Sequence, residues 1–203
     1  YNEAESLEQL FQELDVQFTL LDQDCEVILV DDGSQDNTWQ VAQTLATSYK
    51  WLRGVKLQFN SGKSAALQLG WNSAQGKYII TMDGDLQDNP KEIPELISML
   101  ESGFDLVSGW KKVRHDPWHK TLPSKLFNKV TSIVAGQRLH DFNCGLKAYR
   151  SAVCSSIDLY GDFHRFIPVM AKWKGFKITE KVVEHRARIP VSYTHLRAHE
   201  TRI

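Results

Sequence analysis

Scarcity defines this sequence first. Its 203 residues include only three cysteines, Cys25, Cys144 and Cys154, and no CxxC pair. An odd count without paired spacing excludes a disulfide framework and a cysteine zinc site, and it leads us to expect a reducing compartment, the cytoplasm. No apolar run approaches the ~20 residues that a membrane-spanning helix needs, and no signal-peptide pattern is present. An excess of one charge is missing too. With 24 basic and 25 acidic residues the net charge is −1, so no global field draws the chain to nucleic acid, and no nucleic-acid partner is expected. Two nucleotide- or ion-binding loops are nearly present and fail at one and two positions. "QFNSGKSAALQLG" holds Gly62-Lys63-Ser64 between a strand and a helix, but a P-loop requires glycine where Leu57 stands. "DGDLQDNPKEIPE" starts like a calcium loop, yet Asp88 occupies the glycine position and Pro94 the closing glutamate position.

What is there is ordinary globular composition, 42% hydrophobic and 24% charged, at a length that suits one domain. Asn2 and Glu5 have capping-box spacing ahead of an apolar stripe, Leu7, Leu10, Phe11 and Leu14, which predicts a helix. Strands and helices then alternate: "CEVILV", "NTWQVAQTLATSY", "GVKLQF", "KSAALQLGWNSA", "KYIITM", "IPELISMLESG" and "FDLVSG". This order with short links predicts an α/β fold, a mostly parallel, Rossmann-like sheet flanked by helices. The second half is less regular. Residues 111 to 129 are basic with aromatics interleaved, followed by an amphipathic helix, a helical "FHRFIPVMAKWKG" and a strand-like "FKITEKVVEH".

Ligands of such sheets bind at the carboxyl ends of strands, where both acidic groups of this sequence fall. One is Asp31-Asp32. The other is Asp83, Asp85 and Asp88, with no lysine or arginine among them. Crowded carboxylates repel one another unless a cation offsets them. Asp83-Gly84-Asp85-Leu86-Gln87 offers hard oxygen donors suited to Mg²⁺ or Mn²⁺, which bind through one or two carboxylates together with substrate phosphates. Lys63, at a helix start, is placed to meet a phosphate. The stretch "KKVRHDPWHK", Lys125, Arg165, Arg186 and Arg188 could face a metal-bound diphosphate, although solvated faces are the plain alternative for most of them.

Taken in order, "YNE", "VDDGSQDNT", "NSGKSAAL", "MDGDLQDNP", "LPSKLFN", "DFNCGLKAYR" and "HRFIP" resemble the family-2 inverting glycosyltransferases, and within them the polyprenyl-phosphate sugar transferases of the dolichol-phosphate-mannose-synthase-like group. The resemblance runs from Tyr1 to about Arg188. It implies a single GT-A domain that moves a sugar from a GDP- or UDP-linked donor to a polyprenyl phosphate at the cytoplasmic face of the membrane. It further implies that Asp85 and Gln87 hold the metal, and that Asp83 contacts both metal and donor. Tyr1, Glu3, Asp32 and Lys63 then hold the nucleotide sugar, and Lys125, Arg165 and Arg188 the phosphates of donor and acceptor. Asp141 lies near the acceptor. An ionised phosphate needs no general base, whereas a hydroxyl acceptor needs one, with Asp141 the first candidate. Two other functions fit the same residues: transfer to a hydroxyl of a polysaccharide or glycolipid, and a module that binds nucleotide sugars without turnover.

Family members place a central strand before the tyrosine and a phosphate-clamping segment after "HRAR". The sequence therefore reads as a fragment, with residues 1–190 the transferase domain. Residues 191–203, "VSYTHLRAHETRI", resemble translated adapter sequence and are expected to be a non-native tail.

Overall fold

The computed structural model describes residues 1–21, 23–112 and 139–187. Among the described residues, six helices and six strands form the frame. Helix α1 spans Ala4–Leu21, α2 Thr38–Ser48, α3 Lys63–Ser73, α4 Ile93–Glu101, α5 Ser151–Ser156 and α6 Ile167–Trp173. Strand β1 is Val27–Asp31, β2 Leu52–Lys56, β3 Tyr78–Thr81, β4 Leu106–Trp110, β5 Lys147–Arg150 and β6 Ile178–Val182. The predicted alternation holds. Strand β2 starts two residues before the predicted "GVKLQF", because buried Leu52 pairs with Val27 and the ladder ends where Leu57 N–H donates to Asp31 O.

The strands make two sheets. β1 and β2 form a parallel pair, and the other four run in the order β3-β5-β4-β6. β4 and β6 are parallel, while β5 lies antiparallel between β3 and β4. Strand β5 is the element that periodicity did not reveal, since "KAYR" is too short to show alternation on its own.

Successive strand residues face opposite layers, as the pleat requires. Ile79, Leu106, Tyr149 and Ile178 meet α3, α5 and α6, with Trp71 edge-on to Tyr149 at 5.4 Å. Tyr78, Ile80, Val107 and Ala148 meet Leu96 and Leu100 of α4. Helix α1 spans the seam between the sheets. Leu7 and Phe11 pack with Leu52 and Ala42, whereas Leu10 and Leu14 pack with Leu86 and Ile93 beside Ile80. Helix α3 does the same on the opposite layer, lying against Val30 at Gly70 and against Tyr149 through Trp71. No strand pairing crosses the seam among the described residues.

Candidate active site

Strand β3 delivers the acidic loop, and the loop is anchored from below. Leu86 has φ 63° and is 3% exposed. A leucine is uncommon in the left-handed region, and here burial against Leu10, Leu14 and Ile93 holds it there. The carboxylates then divide their work. Asp85 Oδ1 accepts the Gln87 N–H at 3.1 Å, and Asp88 Oδ2 accepts the Asp83 N–H at 3.2 Å. Asp88 is fully buried and ion-paired with Lys111 at 2.8 Å.

The positive charge absent from the local sequence comes from three distant lysines. Lys63, the first residue of α3, places Nζ 2.6 Å from Asp83 Oδ1. Lys111 stands just beyond β4. Lys147 opens β5, is 4% exposed and donates to Cys144 O. Burial opposes ionisation of Asp83, yet the charges of Lys63, Lys111 and Lys147 hold its carboxyl below the usual range. Burial likewise pulls Lys111 down, but the Asp88 carboxylate overrides it and raises the ammonium. For Lys147 burial wins and its pKa is lowered. Sequence reasoning held Lys111 only as part of the basic stretch that could face a diphosphate, not as the partner of Asp88, and it missed Lys147. Asp83 can lie against the chain at Gly145 only because that residue has no side chain: a Cβ there would stand 2.7 Å from Asp83 Cγ.

The second acidic group shares the rim but serves mainly to shape it. Asp31, 1% exposed, accepts Ser34 N–H at 3.0 Å and the Ser34 hydroxyl. Asp32 accepts the N–H groups of Ser61 and Gly62 at 2.7 and 2.9 Å, tying down the turn before Lys63. Gly33, φ 70°, lets that turn approach, since a Cβ would lie 2.5 Å from Phe59 C.

The first residues join the two rims. Asn2 N–H donates to Ser34 Oγ, and its side chain accepts from Gln35 N–H. Asn2 therefore does not cap α1 as its spacing with Glu5 predicted. It adopts φ 54° and the helix begins at Ala4, with Ser6 N–H returning to Glu3 O. Glu3 N–H donates to Thr38 Oγ1 at 2.9 Å, and Ser6 Oγ donates to Gly84 O at 2.6 Å. Tyr1, 47% exposed, stands at the edge.

Ser64 Oγ and His164 Nδ1 lie 3.1 Å apart, fastening the turn Phe163–Phe166 to α3. Burial, then the charges of Lys63 and Arg165, lowers the His164 pKa. Arg165 follows on that turn, exposed. Arg186 is committed elsewhere: its guanidinium pairs with Glu13 at 2.7 Å and its N–H donates to Gln87 O. Asp141 is fully buried, with Oδ1 accepting Asn143 N–H at 3.1 Å. Lys125 and Arg188, the helix expected after residue 129 and most of the basic stretch lie outside the described residues.

The oxygens of Asp85, Gln87 and Asp83 suit a hard divalent ion in kind. Among the described residues no three acidic, histidine or cysteine side chains already converge on a metal position. The reason is visible in the pairings: Asp83 faces Lys63 and Asp88 is buried on Lys111.

Comparison with known proteins gives this arrangement its relatives. The family model described as Glycosyl transferase family 2 matches residues 1–158. The chain is 39% identical over 193 residues to a dodecaprenyl-phosphate galacturonate synthase of Rhizobium johnstonii, covering 93% of this chain and 57% of that protein. It is 34% identical over 189 residues to an undecaprenyl-phosphate 4-deoxy-4-formamido-L-arabinose transferase of Proteus mirabilis, covering 93% and 58%. The chain thus spans under two thirds of the length of these relatives. Among solved structures, glucosyl-3-phosphoglycerate synthase of Mycobacterium tuberculosis, in complex with Mn²⁺, UDP-glucose and phosphoglyceric acid, superposes with a TM-score of 0.71. It is 18% identical, with 93% of this chain and 69% of that one covered. That likeness shows the fold, the expected GT-A type with its mixed sheet and flanking helices. With the family model covering most of its length, the chain belongs to glycosyl transferase family 2.

Proposed function

We propose that this domain transfers a sugar, with inversion, from a nucleotide diphosphate sugar to a polyprenyl phosphate, at the cytoplasmic face of a membrane. Residues 1–190 form the transferase domain, and residues 191–203 are a tail without a part in it. The observation that carries the proposal is the acidic loop at the end of β3. Its Asp83 is set against Gly145 and drawn to Lys63, on the rim that Asp32 and the first residues complete. Similarity to transferases named for dodecaprenyl and undecaprenyl phosphate supports the acceptor.

Asp85 and Gln87, with Asp83, would hold Mg²⁺ or Mn²⁺, which offsets charge developing on the diphosphate leaving group. Tyr1, Glu3 and Asp32 face the nucleoside, and Asp83 and Lys63 the sugar diphosphate. Lys63 is positioned to trade Asp83 for a phosphate oxygen, since its side chain is part-exposed at the site. Arg165, with Lys125 and Arg188, receives the acceptor phosphate. That phosphate is already ionised near neutral pH, so attack needs no general base. The full burial of Asp141, engaged by Asn143, favours this acceptor over a hydroxyl, which would need an accessible carboxylate.

Calorimetric titration of UDP and of GDP, each with Mn²⁺ and with EDTA, tests the donor half. Metal-dependent binding of one nucleotide, abolished by Asp85→Asn, is expected, and the preferred nucleotide names the base. A folded protein that binds neither would end the proposal. Nucleotide release on adding polyprenyl phosphate to the donor complex separates an enzyme from a module that only binds.

A further inference from the structure

The turn Phe163–Phe166 separates two unlike spaces. On one side His164 lines a narrow cavity that Lys63, Asn143 and Lys147 share with Leu67, Tyr149 and Ile167. On the other, Phe163 lines an open groove of about 310 Å³ with Ile157, Tyr160, Met170 and Trp173. The groove gathers exposed aromatic side chains. Tyr160 is 65% exposed, Trp173 68% and Phe163 38%, and the rings of Tyr160 and Phe163 stand 4.4 Å apart. Aromatics gathered on one exposed patch mark an interaction site, and the volume lies at the lower end of small-molecule pockets, roughly 300–1,000 Å³.

We propose that this groove receives the first isoprene units of the acceptor, with the acceptor phosphate turned across the Phe163–Phe166 turn toward the lysine-lined cavity. The inference rests on the polyprenyl phosphate acceptor proposed above. An amphiphile with an anionic head and an apolar chain is what such a juxtaposition fits. The two charged residues lining the groove, Asp158 and Lys174, are of opposite sign. A rim without net charge suits an uncharged hydrocarbon chain better than an anionic bilayer, whose attraction depends on clustered lysine and arginine.

Farnesyl phosphate, kept below its micelle-forming concentration, is titrated calorimetrically into the 203-residue chain and into its Tyr160→Ser and Trp173→Ser variants. Both substitutions alter exposed side chains and leave the core untouched. Each is expected to weaken farnesyl phosphate about tenfold, the order for losing one apolar wall, while UDP binding with Mn²⁺ is unchanged. Undiminished farnesyl phosphate binding in both variants would overturn the groove and leave the acceptor class standing. Vesicles of phosphatidylglycerol without isoprenoid, bound by the parent chain and lost by the variants, would overturn it in favour of a bilayer-facing surface. A chain that takes UDP but no farnesyl phosphate at all would overturn the groove and the acceptor together.

Discussion

Replacing Gly145 by alanine adds one methyl group at the most crowded point of the site. Its Cβ would lie 2.7 Å from Asp83 Cγ and 3.0 Å from Oδ1, and closer still to Oδ2. Real carbon–oxygen contacts do not tolerate this, so the carboxylate must move. It cannot move freely, because Lys63 holds Oδ1 at 2.6 Å and Asp88 holds the Asp83 N–H. Overpacking of this kind costs about 1–3 kcal/mol. For a chain of this length each kcal/mol lowers Tm by roughly 2–4 °C, so a fall of about 2–12 °C is expected. Donor affinity or turnover should fall further than stability does, since a displacement near 1 Å at a reacting centre can cost on the order of a hundredfold. Thermal unfolding reads the first effect and UDP titration with Mn²⁺ the second. The decisive comparison is a double-mutant cycle with Asp83→Ala, which removes the atoms that clash. Gly145→Ala should cost little stability in that background. An equal cost with and without the Asp83 carboxylate would refute the account.

Lys111→Met leaves the fully buried Asp88 carboxylate unpaired, and urea unfolding should show a loss of about 3–5 kcal/mol, largely restored by adding Asp88→Asn. Burial pushes the Cys144 and Cys154 thiols up to about 12, so iodoacetamide at neutral pH should label Cys25 in the native protein and all three cysteines after denaturation, read by mass spectrometry. The Asp83 carboxyl titrates lower folded than unfolded, so its contribution is complete above the ordinary aspartate value of about 3.9 and is lost as pH falls through the lower folded value. Lys63→Met removes the nearest cation and should move the acid-unfolding midpoint to higher pH, followed by circular dichroism.

The helices and most strands were legible because each carries its own period and punctuation, as with Pro94 and Gly103 around α4. Strand β5 was not, because four residues carry too little pattern and its place is set by partners in β3 and β4. The acidic loop was legible as a site through its position after an apolar strand. Its neutralisation was not. Lysines are read from sequence as solvated, and nothing near Lys111 or Lys147 in the chain signals a buried carboxylate neighbour many residues away. Asn2 misled for a related reason: its capping pattern is local, whereas Ser34 and Gln35, its actual partners, are distant. Asp32 was legible as a rim residue, but its two backbone donors belong to a loop that only folding brings to it.

The seam between the two sheets would set how the protein gauges the proposed donor. The half that would grip the nucleoside hangs on the β1–β2 pair, and the half that would grip the diphosphate hangs on the four-stranded sheet. Their separation is fixed by side chains of α1 and α3 rather than by a ladder of backbone hydrogen bonds. Such a joint lacks the backbone ladder that ties neighbouring strands. A nucleotide sugar that reaches across it would act as a strut, adding to the packed side chains and the few hydrogen bonds and ion pairs, such as Ser6 to Gly84 and Lys63 to Asp83, that couple the halves. Amides of β1 and β3 would then gain protection from hydrogen exchange together when donor binds, although the stiffening enters from the rim above them.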